Sequence, residues 1–177
     1  LTLKNRPNTM SNPFILNQQL ATDDWSLLRP ADGEDAASLN VPAGQVIVPF
    51  ATWQAQTELH SRTDVGVWLD NTTEPEYIAI DWAAFPVIAL NFPKFTDGRS
   101  YSIAYVLRNR LGYKNQLRAI GDVLVDQVFA MTRLGFDALS LRADQKIESA
   151  LHALKTFRTP YQGSTDDARP FFVRESV

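Results

Sequence analysis

Two apolar patterns alternate along this chain. Short continuous runs read as strands buried on both faces: Val46-Ile47-Val48, Val65-Gly66-Val67-Trp68-Leu69, Val87-Ile88-Ala89-Leu90, Leu117 to Ile120 and Phe136 to Leu141. Between them the apolar positions recur at helical spacing. An amphipathic stretch runs through Trp53, Gln56 and Leu59, and Tyr77, Ile80 and Ala84 follow Pro75, which suits the first turn of a helix. Ile103, Val106, Leu107 and Leu111 mark a helix that stops at Gly112, and Leu124, Val125, Val128, Phe129 and Thr132 mark one that stops at Gly135. Ile147, Ala150, Leu151 and Leu154 face inward from a last helix.

Ahead of this repeat, Phe14-Ile15-Leu16 and Trp25-Ser26-Leu27-Leu28 predict two strands of a small N-terminal hairpin joined through Asn17-Gln18-Gln19. Residues 30–44 are rich in Pro, Asp, Gly, Glu, Ala and Ser and read as a loop. The organisation expected is a flexible N-terminus over 1–13, one α/β domain over 14–162 and a loose C-terminal tail over 163–177. That tail is polar except for Phe171-Phe172-Val173. About five βα units predict a mainly parallel sheet, either doubly wound or closed part-way into a barrel. In both architectures ligands meet the C-terminal ends of the strands.

Composition narrows the class. With 45% hydrophobic and 21% charged residues in 177, the chain suits one globular domain rather than a disordered or collagen-like polymer. No cysteine is present, which removes disulfides, thiolate catalysis and Cys-held zinc or iron–sulfur centres. His60 and His152 show no ligand spacing, so no metal site is expected. No apolar run approaches the ~18 residues of a membrane span, and Leu1 to Asn12 lacks the apolar stretch of a secretory signal. The expected location is the cytoplasm. A net charge of -3 and a pI near 5.3 argue against nucleic acid as a partner.

The charge is unevenly spread. Residues 1–93 sum to -7, 119–177 to -1, and 94–118 to +5 through Lys94, Arg99, Arg108, Arg110, Lys114 and Arg118 against Asp97. Such an excess suits an anionic ligand or an acidic partner surface, or coats one exposed helix face.

Read in order, the strand ends bring Pro49, Asp70, the segment Asn91 to Arg99, Gly121-Asp122 and Arg142 to one rim. Asp97-Gly98-Arg99 opens a helix, where backbone N–H groups favour an anion and Arg99 offers a bidentate contact. Asp97 or Thr96 equally suits the role of helix cap. Asp122 is placed as an N-cap, and with Asp126 it forms an i, i+4 pair of carboxylates suited to acid–base work, a hard cation or a solvated face. Arg118, inside an apolar strand, requires a partner, for which Asp70 and Asp122 are the candidates. Trp68 and Phe92 suit core packing or the stacking of a ring ligand. No dinucleotide, P-loop or nucleophile-elbow fingerprint occurs.

The run Phe92-Pro93-Lys94-Phe95-Thr96-Asp97-Gly98-Arg99-Ser100-Tyr101-Ser102 continues through Leu107-Arg108-Asn109-Arg110-Leu111-Gly112. With Leu117-Arg118-Ala119-Ile120-Gly121-Asp122-Val123-Leu124-Val125-Asp126-Gln127 and Met131-Thr132-Arg133-Leu134-Gly135-Phe136-Asp137, it resembles the bacterial domain-of-unknown-function family 934. Members of that family are often labelled oxidoreductases and are typically encoded beside the haem-protein sulfite or nitrite reductase and the adenylylsulfate reductase. The resemblance implies a role in assimilatory sulfate reduction. It singles out Asp97, Arg99, Tyr101, Ser102, Arg108, Arg118, Asp122, Asp126, Gln127 and Arg133, without assigning them catalytic roles. Many members carry a cysteine where this chain has Leu134.

Two readings follow. In the first, an accessory protein docks on the sulfite or nitrite reductase or its electron donor, with Lys94, Arg108, Arg110 and Lys114 as docking residues. In the second, an enzyme or binding protein holds an oxyanion or nucleotide at the strand ends, with Asp97, Arg99, Tyr101, Ser102, Arg118 and Gln127 binding and Asp122 or Asp126 as base. The cofactor, turnover and self-association are left open by the sequence.

Overall fold

A computed structural model describes residues 14–156 and 162–170. Eight strands form one sheet: β1 (Phe14–Leu16), β2 (Gln19–Leu20), β3 (Ser26–Leu27), β4 (Val46–Pro49), β5 (Val65–Leu69), β6 (Val87–Phe92), β7 (Gln116–Gly121) and β8 (Ala138–Ser140). Their spatial order is β2-β1-β8-β7-β6-β5-β4-β3. All pairings from β3 to β8 are parallel, while β1 runs antiparallel to both β2 and β8. Four helices accompany the sheet: α1 (Phe50–Ala55), α2 (Arg99–Tyr105), α3 (Val128–Arg133) and α4 (Ile147–Thr156).

From β3 to β8 each strand lies beside its predecessor, without the reversal of order that defines a doubly wound sheet. Successive right-handed crossovers then place every connection on the same face, and the sheet curls as part of a barrel. The strands owe their parallel burial to composition. Val, Ile and Leu occupy more than half the positions of β4, β5 and β6, and all six residues of β6 are buried.

The N-terminal hairpin is shorter than expected. Its second strand is Gln19–Leu20, because Asn17 (φ 50°) and Gln18 (φ 63°) make a two-residue turn of the left-handed type that matches strand twist. The expected partner, Trp25 to Leu28, instead lies at the opposite edge of the sheet. There the Ser26 N–H donates to Gln45 O and the Leu28 N–H to Ile47 O, both along β4. Leu20 and Ser26 therefore sit on opposite edges although only six residues separate them, a reach of at most ~21 Å. Eight strands laid flat would span about 33 Å. The chain closes that distance because the sheet is curled, and residues 21–25 form a strap across its open side.

The stretch with helical spacing over 75–84 is not an α-helix. It is two 3-10 turns, Pro75–Tyr77 and Trp82–Ala84, the second started by the Asp81 side chain accepting the Ala83 N–H. Leu59 falls in another 3-10 turn, Thr57–Ser61, behind α1. The final turn of α2 widens into a π turn over Val106–Arg110.

The outer face is the main core. Val48, Val67, Ile88, Leu90, Leu117 and Leu139 of the strands meet Ile103, Leu107, Val128, Met131 and Leu154 of the helices. The inner face holds a smaller cluster of Ile47, Val87, Ala89 and Ile120, covered by Trp25 of the strap and by Trp68. Among the described residues no helix is long and apolar enough to cross a membrane.

Candidate functional site

The C-terminal ends of the strands do collect the rim residues, and the structure shows how each is held. Asp97 accepts from its own near neighbour Arg99, whose Nη2 lies 2.6 Å away, and from the Asn71 amide. Its carboxyl lies well below the ordinary range, chiefly through the Arg99 hydrogen bond. Asn71 is buried and follows Asp70, whose carboxylate accepts the Asn71 N–H. Asn91, also buried, accepts a hydrogen bond from Arg29 at 3.1 Å, and that guanidinium lies over the Trp68 ring at 5.3 Å. Ser100, at the start of α2, donates to Asn91 O at 2.6 Å and ties the helix to the rim.

A second group sits beside the first. The Asp122 carboxylate accepts the Phe95 N–H at 2.8 Å and the Arg142 guanidinium at 2.5 Å. The Phe95 N–H is the larger cause of its lowered pKa and Arg142 the next. Asp122 is therefore a clamp between the loops after β6, β7 and β8 and not an N-cap. Arg142 also grips Asp144, whose carboxyl is pulled down to about 2 by that hydrogen bond. Gln127 donates to Phe95 O at 2.8 Å. Gly121 is fixed by geometry: its φ is +95°, and a Cβ there would meet Phe92 O at 2.4 Å.

The other sequence candidates disperse. Tyr101 is half-buried, edge-on to Phe92 at 5.2 Å, and burial, with the Asp126 charge second, pushes its phenol pKa up. Ser102 and Asp126 are exposed. Arg133 donates to Gln162 O and pairs with Asp166, and the Ser164 hydroxyl donates to Arg133 O, so residues 162–166 lie against the end of α3. Phe171-Phe172-Val173 falls outside the described residues.

The basic excess over 94–118 is not one surface. Lys94 and Arg99 stand at the C-terminal rim, whereas α2 and its π turn run back along the sheet for about 18 Å. Arg110 and Lys114 thus lie at the opposite end. Arg108, a docking candidate in the sequence, turns inward, its side chain only 8% exposed. It donates to Gly135 O at 2.8 Å, Tyr113 O at 2.7 Å and Asn115 O at 2.9 Å, and it pairs with Asp137. Arg108 is a structural clamp at the start of β7 and β8.

Arg118 departs furthest from expectation. Neither Asp70 nor Asp122 is its partner; its Nη1 donates to both carboxylate oxygens of Asp23, at 2.9 and 2.8 Å. The alternation of β7 turns it onto the inner face, away from the rim. Asp23 was invisible to sequence reasoning because it lies 95 residues away in a strap with no periodic pattern. Asn71 and Asn91 carried a fainter signal, as amides at the ends of apolar strands.

Among the described residues no group of three or more His, Asp or Glu side chains could hold a metal ion. A family model described as "Bacterial protein of unknown function (DUF934)" matches residues 66–172, more than half of the chain. This protein belongs to that family. No curated protein and no solved structure matches the chain.

Proposed function

We propose that this family member is an accessory protein of cytoplasmic assimilatory sulfate reduction, docking on the haem-containing sulfite or nitrite reductase or its electron donor. The observation that carries the docking surface is Tyr77, 80% exposed on the 3-10 turn that packs against the π turn of α2. Its neighbour Glu76 lies 3.4 Å from Arg110, and Leu111 beside it is exposed as well. Tyrosine and arginine around an exposed leucine are the residue types that carry binding energy at protein interfaces. Arg110 and Lys114 remain as docking cations, Arg108 is withdrawn as buried, and Lys94 belongs to the other end of the sheet. The association with the reductase comes from the family resemblance. The rival reading, an oxyanion or nucleotide at the rim, is weakened because Arg99 and Arg142 are each matched by aspartates there.

The test is binding of the purified reductase to immobilised protein. Tyr77→Ala is expected to weaken binding at least about tenfold, which is the loss of one hot-spot side chain, while Lys94→Glu leaves it unchanged. Equal binding by wild type and Tyr77→Ala overturns this surface.

A further inference from the structure

The inner face of the half-barrel holds a charge that docking does not use. Arg118 is the largest fully buried side chain, 2% exposed, between Ala89 of β6 and Ala138 of β8, with the Phe14 ring 4.4 Å from its guanidinium carbon. A guanidinium has five N–H donors and holds a carboxylate best through two nitrogens at once. Here the grip is one-handed. Asp23 is held by Nη1 alone, Nη2 donates to the Gln116 side-chain oxygen at 3.1 Å, and the buried Nε–H has no partner among the described residues.

The counter-ion comes from the strap, where Asp23 Oδ1 also accepts the Trp25 N–H at 3.1 Å and Trp25 packs on the inner cluster. The Ala21 N–H donates to Phe14 O and the Ser26 N–H to Gln45 O. Between those two points, among the described residues, the polar tie of the strap to the sheet is Asp23 on Arg118. The Asp23 side chain remains 29% exposed while its partner is enclosed. Gln19, Gln116, Asn91 and Ser140 are the other polar side chains that strand alternation places on this face, and none of them is an acid.

We propose that Arg118 is an oxyanion receptor inside the half-barrel, self-occupied by Asp23, and that a small oxyanion of the size of that carboxylate takes its place when the strap lifts. A cation without an anionic partner among apolar walls is unfavourable, so an anion that fills the vacated place stabilises the lifted state more than a neutral ligand does. A tethered carboxylate competes at an effective concentration of the order of millimolar or more, so the intact chain binds free anions weakly. This inference goes beyond the docking reading and does not depend on it.

Formate and sulfite are the probes, with chloride at equal ionic strength as control, read by thermal shift and by the Nε–H resonance of Arg118. Asp23→Asn removes the competing charge while keeping the side chain's shape, so an incoming anion displaces a neutral amide rather than a carboxylate. The variant is expected to unfold at lower temperature than wild type, to regain stability with formate or sulfite but not chloride, and to show a midpoint at least about tenfold below that of wild type. Asp23→Asn combined with Arg118→Met is expected to lose the anion response. An Asp23→Asn protein with native circular dichroism and no anion-specific gain overturns the proposal, as does an equal gain in the double variant. Should Asp23→Asn fail to fold, the wild-type resonance decides at about 1 M formate, well above the effective concentration of the tethered carboxylate: a shift with formate but not chloride supports the site, and no shift overturns it.

Discussion

On the outer face of the sheet Ile88, Leu90 and Leu117 meet helices through apolar contacts alone, and on the inner face the intervening positions are Ala89 and Arg118. The two faces belong to the same strands, one residue apart in register. The outer face is stabilised by area removed from water, about 1.5–3 kcal/mol for each large side chain. Helices seal it, and the charged side chains of these strands are kept off it. The inner face carries Gly66, Ala89 and Ala138 among its larger residues and is closed by a five-residue strap rather than a helix. A covering that short supplies little apolar area, and a charged pair pins it. Closure of the curl by the strap thus rests on one buried ion pair beside the packing of Trp25, while bulk stability rests on the helices.

Substitutions that break the contrast should differ in kind as well as in size. Leu90→Ala on the outer face leaves a cavity under the helices and is expected to cost about 3–4 kcal/mol, read by urea unfolding, with no dependence on added anions. Gly66→Ala tests the tightness of the inner face. Its Cβ would stand 2.8 Å from Val87 O, a backbone atom, so a loss of about 2 kcal/mol is expected in the same assay. A neutral outcome there would mean that the curl can open to admit a methyl group.

The smallest effect belongs to the rim, which neither face uses for stability. Asp144, at about 2, and Asp122 and Asp97, both lowered, bind protons less readily folded than unfolded. Their contribution is present above the ordinary carboxyl value of 3.8 and is lost as pH falls through the folded values. Arg142→Ala should flatten stability between about pH 4 and 2, because Asp144 and Asp122 then titrate nearer the ordinary carboxyl range. Acid unfolding curves that superimpose on those of wild type would remove Arg142 from this account.

The outer face was readable in the sequence because buried parallel strands announce themselves as unbroken apolar runs. Val65–Leu69 matches its run residue for residue, β4, β6 and β7 extend theirs by one or two residues, and β8 keeps only Ala138–Ser140 of the run Phe136 to Leu141. Tyr77, Ile80 and Ala84 show the limit of periodicity: the Asp81 side chain restarts the backbone there and splits one expected helix into two turns. Sequential strand order, which separates a partial barrel from a doubly wound sheet, leaves no local mark on any strand. At the rim the sequence located Asp97, Arg99, Asp122 and Arg142 correctly, since strand ends fix their place. It did not show that these residues pair with one another, and it joined Lys94 to Lys114 although a helix carries them to opposite ends. Arg118 stood out as a charge in an apolar strand, but its partner depended on a chain crossing that only the curled sheet creates.

The closure of the inner face by Asp23 and Arg118 is tested most directly by a double-mutant cycle in urea unfolding. The proteins are wild type, Asp23→Ala, Arg118→Met and the pair. Asp23→Ala alone should cost about 3 kcal/mol, since it leaves a buried cation without its partner. Adding Arg118→Met should recover much of that loss, giving a coupling of at least about 1.5 kcal/mol. Losses that add to within about 0.5 kcal/mol would contradict the account, because the two residues would then stabilise the protein independently of each other.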